Sequence, residues 1–289
     1  MEWVRAGQVL PLGAEGEPDS HGASDSWVVE DEDGSLRMWY VGNDGVTRRI
    51  LSATKGQEAS WHRDGVAVDV GFAGSTDAYG LESPSVVRTP GGYLMAYAGF
   101  DGQVTRLHMA TSDDGVRWTA HGEFMQPGEE DALAATDPCL LVTADRWWLF
   151  FTGRDGARVG RRAVVLAATS ESGASWDRLG PVLEPELGEL AVTGPCVLAV
   201  GGGYRMFFVS DDGERTRLML ATSDDALDWN RRGATLAPSD DRAEASLDAP
   251  CVIRRHDGSL QLWYTLTGTA ASGTLPCICA ARFSSTSTG

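Results

Sequence analysis

The chain has 289 residues, 42% of them hydrophobic, and a formal net charge of −17. That length accommodates one large domain or two small ones, and the apolar fraction suffices for a substantial core. A field of this sign repels nucleic acid and anionic membrane surfaces, so neither is expected as a partner, and neutral or cationic small molecules remain.

The opening residues, MEWVRAGQV, lack the positive n-region and apolar h-region of a secretory signal. No apolar run approaches the ~18 residues needed to span a bilayer. Five cysteines, an odd number without a signal, are expected to be reduced thiols in a cytoplasmic protein. Only the final SSTSTG has the composition of a disordered tail.

The first element along the chain is WVRAGQVLP, residues 3–11, and its wording returns as WDRLGPVLEP and WNRRGATLAP, each closing a longer unit. The first unit runs SDSWVV, LRMWYVG, LSATK and SWHRDG. The second runs ESPSVV, YLMAYAG, MATSDD and RWTAHG, and the third TDPCLL, WWLFFTG, AATSES and SWDRLG. A fourth follows with TGPCVL, YRMFFVS, LATSDD and DWNRRG. The fifth has DAPCVI, LQLWYTL and CICAARFS, then stops before any tryptophan segment. Trp61, Trp118, Trp176 and Trp229 therefore recur at intervals of 57, 58 and 53 residues.

Each run is of strand length, is rich in β-branched and aromatic residues, and is bounded by Gly- and Asp-rich turns. Several are apolar throughout, as befits strands covered on both faces. Four antiparallel strands at this period predict an all-β, five-bladed β-propeller, one domain over residues 1–289. The N-terminal WVRAGQVLP is the strand the fifth unit lacks. Pairing there is expected to close the ring and leave no open edge.

In such a fold, the loops entering each innermost strand and those joining strands two and three share one face. The turns between strands three and four lie on the other. TSDDGVRW (111–118), with looser copies TSESGASW and TSDDALDW, is similar to the Asp box of sialidases and belongs to that opposite face. Its carboxylates are expected to bond their own turn, and its tryptophans to pin neighbouring blades. Cys139, Cys196 and Cys251 follow the landmark proline in three successive units and are expected to be small packing residues near the axis. Cys277 and Cys279 lie at i, i+2 and make a poor disulfide pair. Neither a metal nor a cofactor is expected.

The innermost-strand starts differ, because they present Asp25 in SDSW, Glu82 in ESP, Asp137 in TDP and Asp248 in LDAP. Packing has no use for acids there, and their mutual repulsion separates pKa values. At these residues the sequence resembles the five-bladed propeller glycosidases around glycoside hydrolase families 43, 32, 62 and 130, over the whole chain. The family 43 pattern implies a general base at Asp25 and an orienting Asp at Asp137. Its general acid is a Glu in an EGP motif on the next blade, where this chain reads TGP with Thr193. A hydroxyl cannot protonate a leaving group as a raised-pKa carboxylic acid can. Glu82 is then the expected acid.

His21, in the loop entering the first blade, and Arg154 and Asp155, in the loop TGRDGARVGRR, are expected to bind substrate beside Thr193 and Asp248. The resemblance implies a glycosidase-like hydrolase acting on a small glycoside or oligosaccharide. Thr193 leaves two other classes open: acid/base chemistry on a small metabolite (cyclisation, elimination or isomerisation), and noncatalytic sugar or metabolite binding.

Overall fold

The computed structural model describes residues 3–56, 60–156, 162–238, 244–268 and 275–283, so the SSTSTG tail lies outside the described residues. Every regular element among them is a β-strand. After β1 (Trp3–Leu10) come five antiparallel meanders. The first comprises β2 (Ala23–Glu30), β3 (Leu36–Asn43), β4 (Arg48–Lys55) and β5 (His62–Val68). The second is β6 (Gly80–Thr89), β7 (Gly92–Phe100), β8 (Thr105–Ser112) and β9 (Thr119–Glu123). The third holds β10 (Ala134–Val142), β11 (Trp147–Arg154), β12 (Val164–Ser170) and β13 (Asp177–Leu183). Next are β14 (Ala191–Val200), β15 (Gly203–Asp211), β16 (Thr216–Ser223) and β17 (Asn230–Leu236). The last has β18 (Glu244–Arg254), β19 (Leu260–Gly268) and β20 (Cys277–Phe283).

β1 is the fourth strand of this last sheet, antiparallel to β20, with Trp3 opposite Phe283 and Leu10 opposite Ile278. The second and third meanders are joined by one parallel bridge, Ala134 to Thr105.

The core lies between sheets, and the second strands show why they read as apolar throughout. Successive side chains of a strand point to opposite faces. On β3, Trp39 enters a buried cluster with Met95 and Tyr97 of the second sheet, whereas Met38 and Tyr40 enter one with Trp263 and Ile278 of the last. Phe150 of β11 meets Met206 and Phe208, while Leu149 and Phe151 meet Leu94 and Ala96. Phe207 of β15 faces Leu262 and Tyr264. Each sheet is thus covered on both faces by its neighbours in the chain, the last sheet lying against the first.

The tryptophans of the fourth strands bind these faces together. Trp118 meets Trp39 of the first sheet edge-on at 5.7 Å, Trp176 meets Phe124 at 6.0 Å, and Trp229 meets Phe150 at 6.1 Å. Trp3 packs on Phe207 at 5.9 Å, so the N-terminal strand fills the same role for the last sheet. Their indole N–H groups also tie down the preceding turn: Trp118 donates to the carbonyl of Gly115, Trp176 to that of Gly173 and Trp229 to that of Ala226. Asp114 accepts the backbone N–H groups of Val116 and Arg117, which hold its carboxyl down at about 2. These Asp-box-like turns are structural.

The three axial cysteines do more than fill space. Apart from the single bridge of β10 to β8, the innermost strands have no ladder on their axial side, and N–H groups there need other acceptors. The N–H of Val28 donates to Sγ of Cys251, that of Val197 to Cys139 and that of Val252 to Cys196, each at 3.2 Å. Leu140 N–H donates to Ser85 Oγ at 2.9 Å, and Trp27 closes the remaining boundary by donating its indole N–H to the carbonyl of Val86 at 2.8 Å. Burial pushes the Cys196 thiol up to about 12. Cys277 and Cys279 are buried and not joined in a disulfide, with their Sγ atoms 4.0 Å apart.

Two outcomes follow. Deleting residues 1–10 should expose the β20 edge and the face beneath Trp3, lowering stability by several kcal/mol in denaturant unfolding; an unchanged midpoint would deny β1 its structural role. Native alkylation of Cys139, Cys196 and Cys251 should be slow and become complete only on unfolding, whereas rapid native labelling would contradict their burial.

Candidate active site

Each innermost strand carries the same irregularity. The ladder slips between Ser24 and Trp27, Glu82 and Ser85, Thr136 and Cys139, Thr193 and Cys196, and Asp248 and Cys251. At each slip one residue adopts a positive φ: Asp25 (48°), Ser83 (50°), Asp137 (52°), Gly194 (60°) and Ala249 (48°). Such a conformation costs a non-glycine residue about 1–2 kcal/mol and often marks a functional site. Here Ser83 and Ala249 adopt it as readily as the aspartates, so the bulge belongs to the fold. What varies is the side chain it presents to the axis.

The bulges turn the strand starts into an open depression with room for about 390 Å³, on the scale of small-molecule pockets. It is lined by Asp25, Glu82, Asp137, Thr193, Asp248 and Arg154, together with Ser83, Thr105, Ala134, Thr136, Gly194 and Ala249. A narrower cleft lies deeper along the same five strands, walled by Pro84, Pro138, Pro195 and Pro250. The Asp-box-like turns are at the far end: β8 pairs Thr105 with Phe100 at the depression but Ser112 with Tyr93 at the other end of the sheet.

The four carboxylates reach this depression from two tiers. Asp25 and Asp137 occupy the left-handed position itself, while Glu82 and Asp248 stand one residue earlier, level with Thr193. Counting back from the landmark prolines reveals this distinction in the sequence, where all four read simply as strand starts.

Their surroundings differ as well. Asp25 is fixed through its backbone N–H, which donates to Thr265 Oγ1 at 2.8 Å. Burial, with Glu82, Asp137 and Asp248 nearby, pushes its carboxyl up to about 8, although part of the side chain still faces the depression. Glu82 is also raised by burial, but the Arg48 guanidinium, ion-paired with it, and then Arg154 oppose the rise. Asp137 accepts hydroxyl hydrogen bonds on both oxygens, from Ser83 at 2.9 Å and Thr136 at 3.0 Å. Burial raises Asp248. Burial thus raises both Glu82, the expected acid, and Asp25, the expected base, and Arg48 opposes the rise more at Glu82.

Two expected binding residues lie elsewhere. His21 is exposed; its backbone N–H donates to Asn43 and its ring rests over Gly45, with Nδ1 3.1 Å from Ser20 Oγ. That backbone bond turns it toward the 43–45 turn, and it does not line the depression. Asp155, which follows the end of β11, lines a separate hollow with Glu130, Arg162 and Glu184. Arg48 is the group that sequence reading missed. Among the described residues, no group of three or more His, Cys, Asp or Glu is arranged to hold a metal.

The loops framing the depression are anchored by a recurring lock. Arg63 pairs with buried Asp19, Arg178 with buried Asp131 and Arg231 with Glu189, each tying the incoming loop to the fourth strand of its own sheet. The second sheet has Ala120 where the arginine would be, and Asp77 instead accepts from Ser75 and Tyr97.

A buried acid with a raised pKa stabilises the fold most while protonated, below its unfolded value near 4. That contribution is lost as pH rises through about 8. Asp25→Asn should therefore raise Tm at pH 8 by ~2–4 °C for each kcal/mol recovered, and change it little at pH 4. Equal effects at both pH values would place Asp25 in an ordinary solvated setting.

A family model described as the glycosyl hydrolases family 32 N-terminal domain matches residues 93–254, more than half of the chain. No curated protein matches. Among solved structures, one titled a glycoside hydrolase is 18% identical with a TM-score of 0.80, covering 96% of this chain and 90% of that one. A thermostable family-43 glycoside hydrolase is 14% identical with a TM-score of 0.73, covering 91% of each chain. A sucrose-6-phosphate hydrolase from Lactobacillus gasseri is 14% identical with a TM-score of 0.73, covering 92% of this chain and 59% of that one. At these identities the likeness is one of fold. The matched domain and the sheets around a common depression make this chain a β-propeller, hydrolase-like enzyme belonging to the glycosyl hydrolase family 32 N-terminal domain family.

Proposed function

We propose that the chain hydrolyses a small glycoside or oligosaccharide in the carboxylate-lined depression of a single, five-bladed propeller domain over residues 1–289. The five meanders, the packing of the last sheet against the first and the pairing of β1 with β20 support that architecture, with the ring closed by the N-terminal strand.

The reading is carried by one observation: Asp25, Glu82, Asp137 and Asp248, from four different sheets, line one depression, where burial pushes the Asp25 carboxyl up to about 8. Hydrolysis of a glycosidic bond needs one carboxylic acid to protonate the leaving oxygen and one carboxylate on the sugar's other side to act as base or nucleophile. Asp25 is suited to deliver the proton at neutral pH. Glu82, beside Arg48, is suited to remain the carboxylate, and Asp137, gripped by Ser83 and Thr136, supplies a fixed charge that orients the pair. Thr193, Asp248 and Arg154 would contact the sugar.

Thr193 favours one second reading. A hydroxyl stands where the family 43 pattern has its acid, so the same carboxyl–carboxylate pair could instead move protons on a small metabolite without cleaving a sugar.

Aryl glycosides and short oligosaccharides, screened with wild type, Asp25→Asn, Glu82→Gln and Asp137→Asn, test the assignment. Each substitution should reduce turnover ~10²–10⁴-fold with the fold intact. If no glycoside is cleaved by wild type and Thr193→Glu creates glycosidase activity, the second reading replaces the first.

A further inference from the structure

Arg48 begins β4 in the first sheet, outside every repeated motif, and reaches across the sheet boundary to Glu82 of β6. Its side chain is 44% exposed and that of Glu82 is 23% exposed, so the pair sits at the edge of the depression and contributes little to the fold as a surface bridge. Gly80, at the start of β6, lies against this side chain: a Cβ there would be in ordinary contact, 3.6 Å from Arg48 Nε. The charged groups acting on Glu82 are Arg48 from β4, Asp137 from β10 and Arg154 from the end of β11. Those acting on Asp25 are Glu82, Asp137, Asp248 from β18 and Arg48.

Resting on the functional reading above, we propose that Arg48 is a positioning residue that decides which carboxyl of the depression carries the proton. By pairing with Glu82 across the sheet boundary, it keeps that carboxylate ionised. The ionised Glu82 in turn keeps the proton on Asp25. Without the guanidinium, Glu82 is a half-buried carboxylate facing other acids, and it competes with Asp25 for the same proton.

Carbon-13 NMR titration of the carboxyl groups in the full-length protein tests this directly, with Arg48→Met, Arg48→Gln and Arg48→Lys beside wild type. In the Met and Gln variants the Glu82 midpoint should rise by about one pH unit or more, and Lys should restore most of the difference. On a cleaved glycoside, the acidic limb of kcat/KM should move to higher pH by the same amount, with KM little changed; a merely structural role would lower activity without moving that limb. A Glu82 midpoint that stays in place in both uncharged variants, or that Lys fails to restore, overturns the proposal. If no glycoside is cleaved at all, hydrolysis is the reading that fails, and the titration still decides the role of Arg48.

Discussion

Apart from the single bridge of β10 to β8, each innermost strand is paired on one side only, and the molecule is organised around satisfying the side left open. Each must bring its N–H groups close to the axis, where no further strand fits. Three boundaries use a thiol of the neighbouring sheet as the acceptor and a fourth a serine hydroxyl, whereas at the fifth an indole N–H donates to a backbone carbonyl. Where the residue at this position accepts an N–H it is small and tolerant of burial, as cysteine and serine are; Trp27, at the same position of the first sheet, donates instead. Innermost strands fixed in this way hold their bulges side by side, and the residues of all five bulges line the depression.

Function depends on which side chains those bulges present. The backbone there is nearly the same five times over, with φ between 48° and 60°. Chemistry is added by substitution on a repeated frame: aspartate at two left-handed positions, an acid one residue earlier in two other sheets, and threonine in the fourth. The asymmetry matters, because five equivalent carboxylates would share their protons evenly. Unequal burial and the cations Arg48 and Arg154 break the equivalence, and they separate a carboxyl from its carboxylate neighbours.

Much of this was legible in the sequence because the landmarks are local. A tryptophan two residues before an arginine, or a proline before a buried run, recurs along the chain whatever lies beside it in space. The strand boundaries, the placement of the Asp-box-like turns away from the depression, and the convergence of Asp25, Glu82, Asp137 and Asp248 all rest on such spacing. What escaped notice depends on neighbours distant in the chain. Arg48 belongs to no repeated motif, and its partner lies in another sheet. The cysteines read as filler because the N–H groups they accept come from strands 56, 58 and 223 residues away. For His21 and Asp155 the loop alone does not settle the direction of the side chain: His21 lies over Gly45 and Asp155 lines another hollow.

The pairing of β1 with β20 carries a consequence for the order of assembly. Trp3 and Phe283 are partners in one ladder. β1 can pair only once β20, some 280 residues later, has been made, and its apolar side chains stay uncovered meanwhile. Contacts of such sequence separation are slow to form and expose edges to aggregation. The glycine at Gly7, with φ of 79° beside the slip between Arg5 and Gly7, breaks the regularity of that strand. An irregular, arginine-bearing edge is a poor template for stray strands, and this one stays so until its proper partner is synthesised.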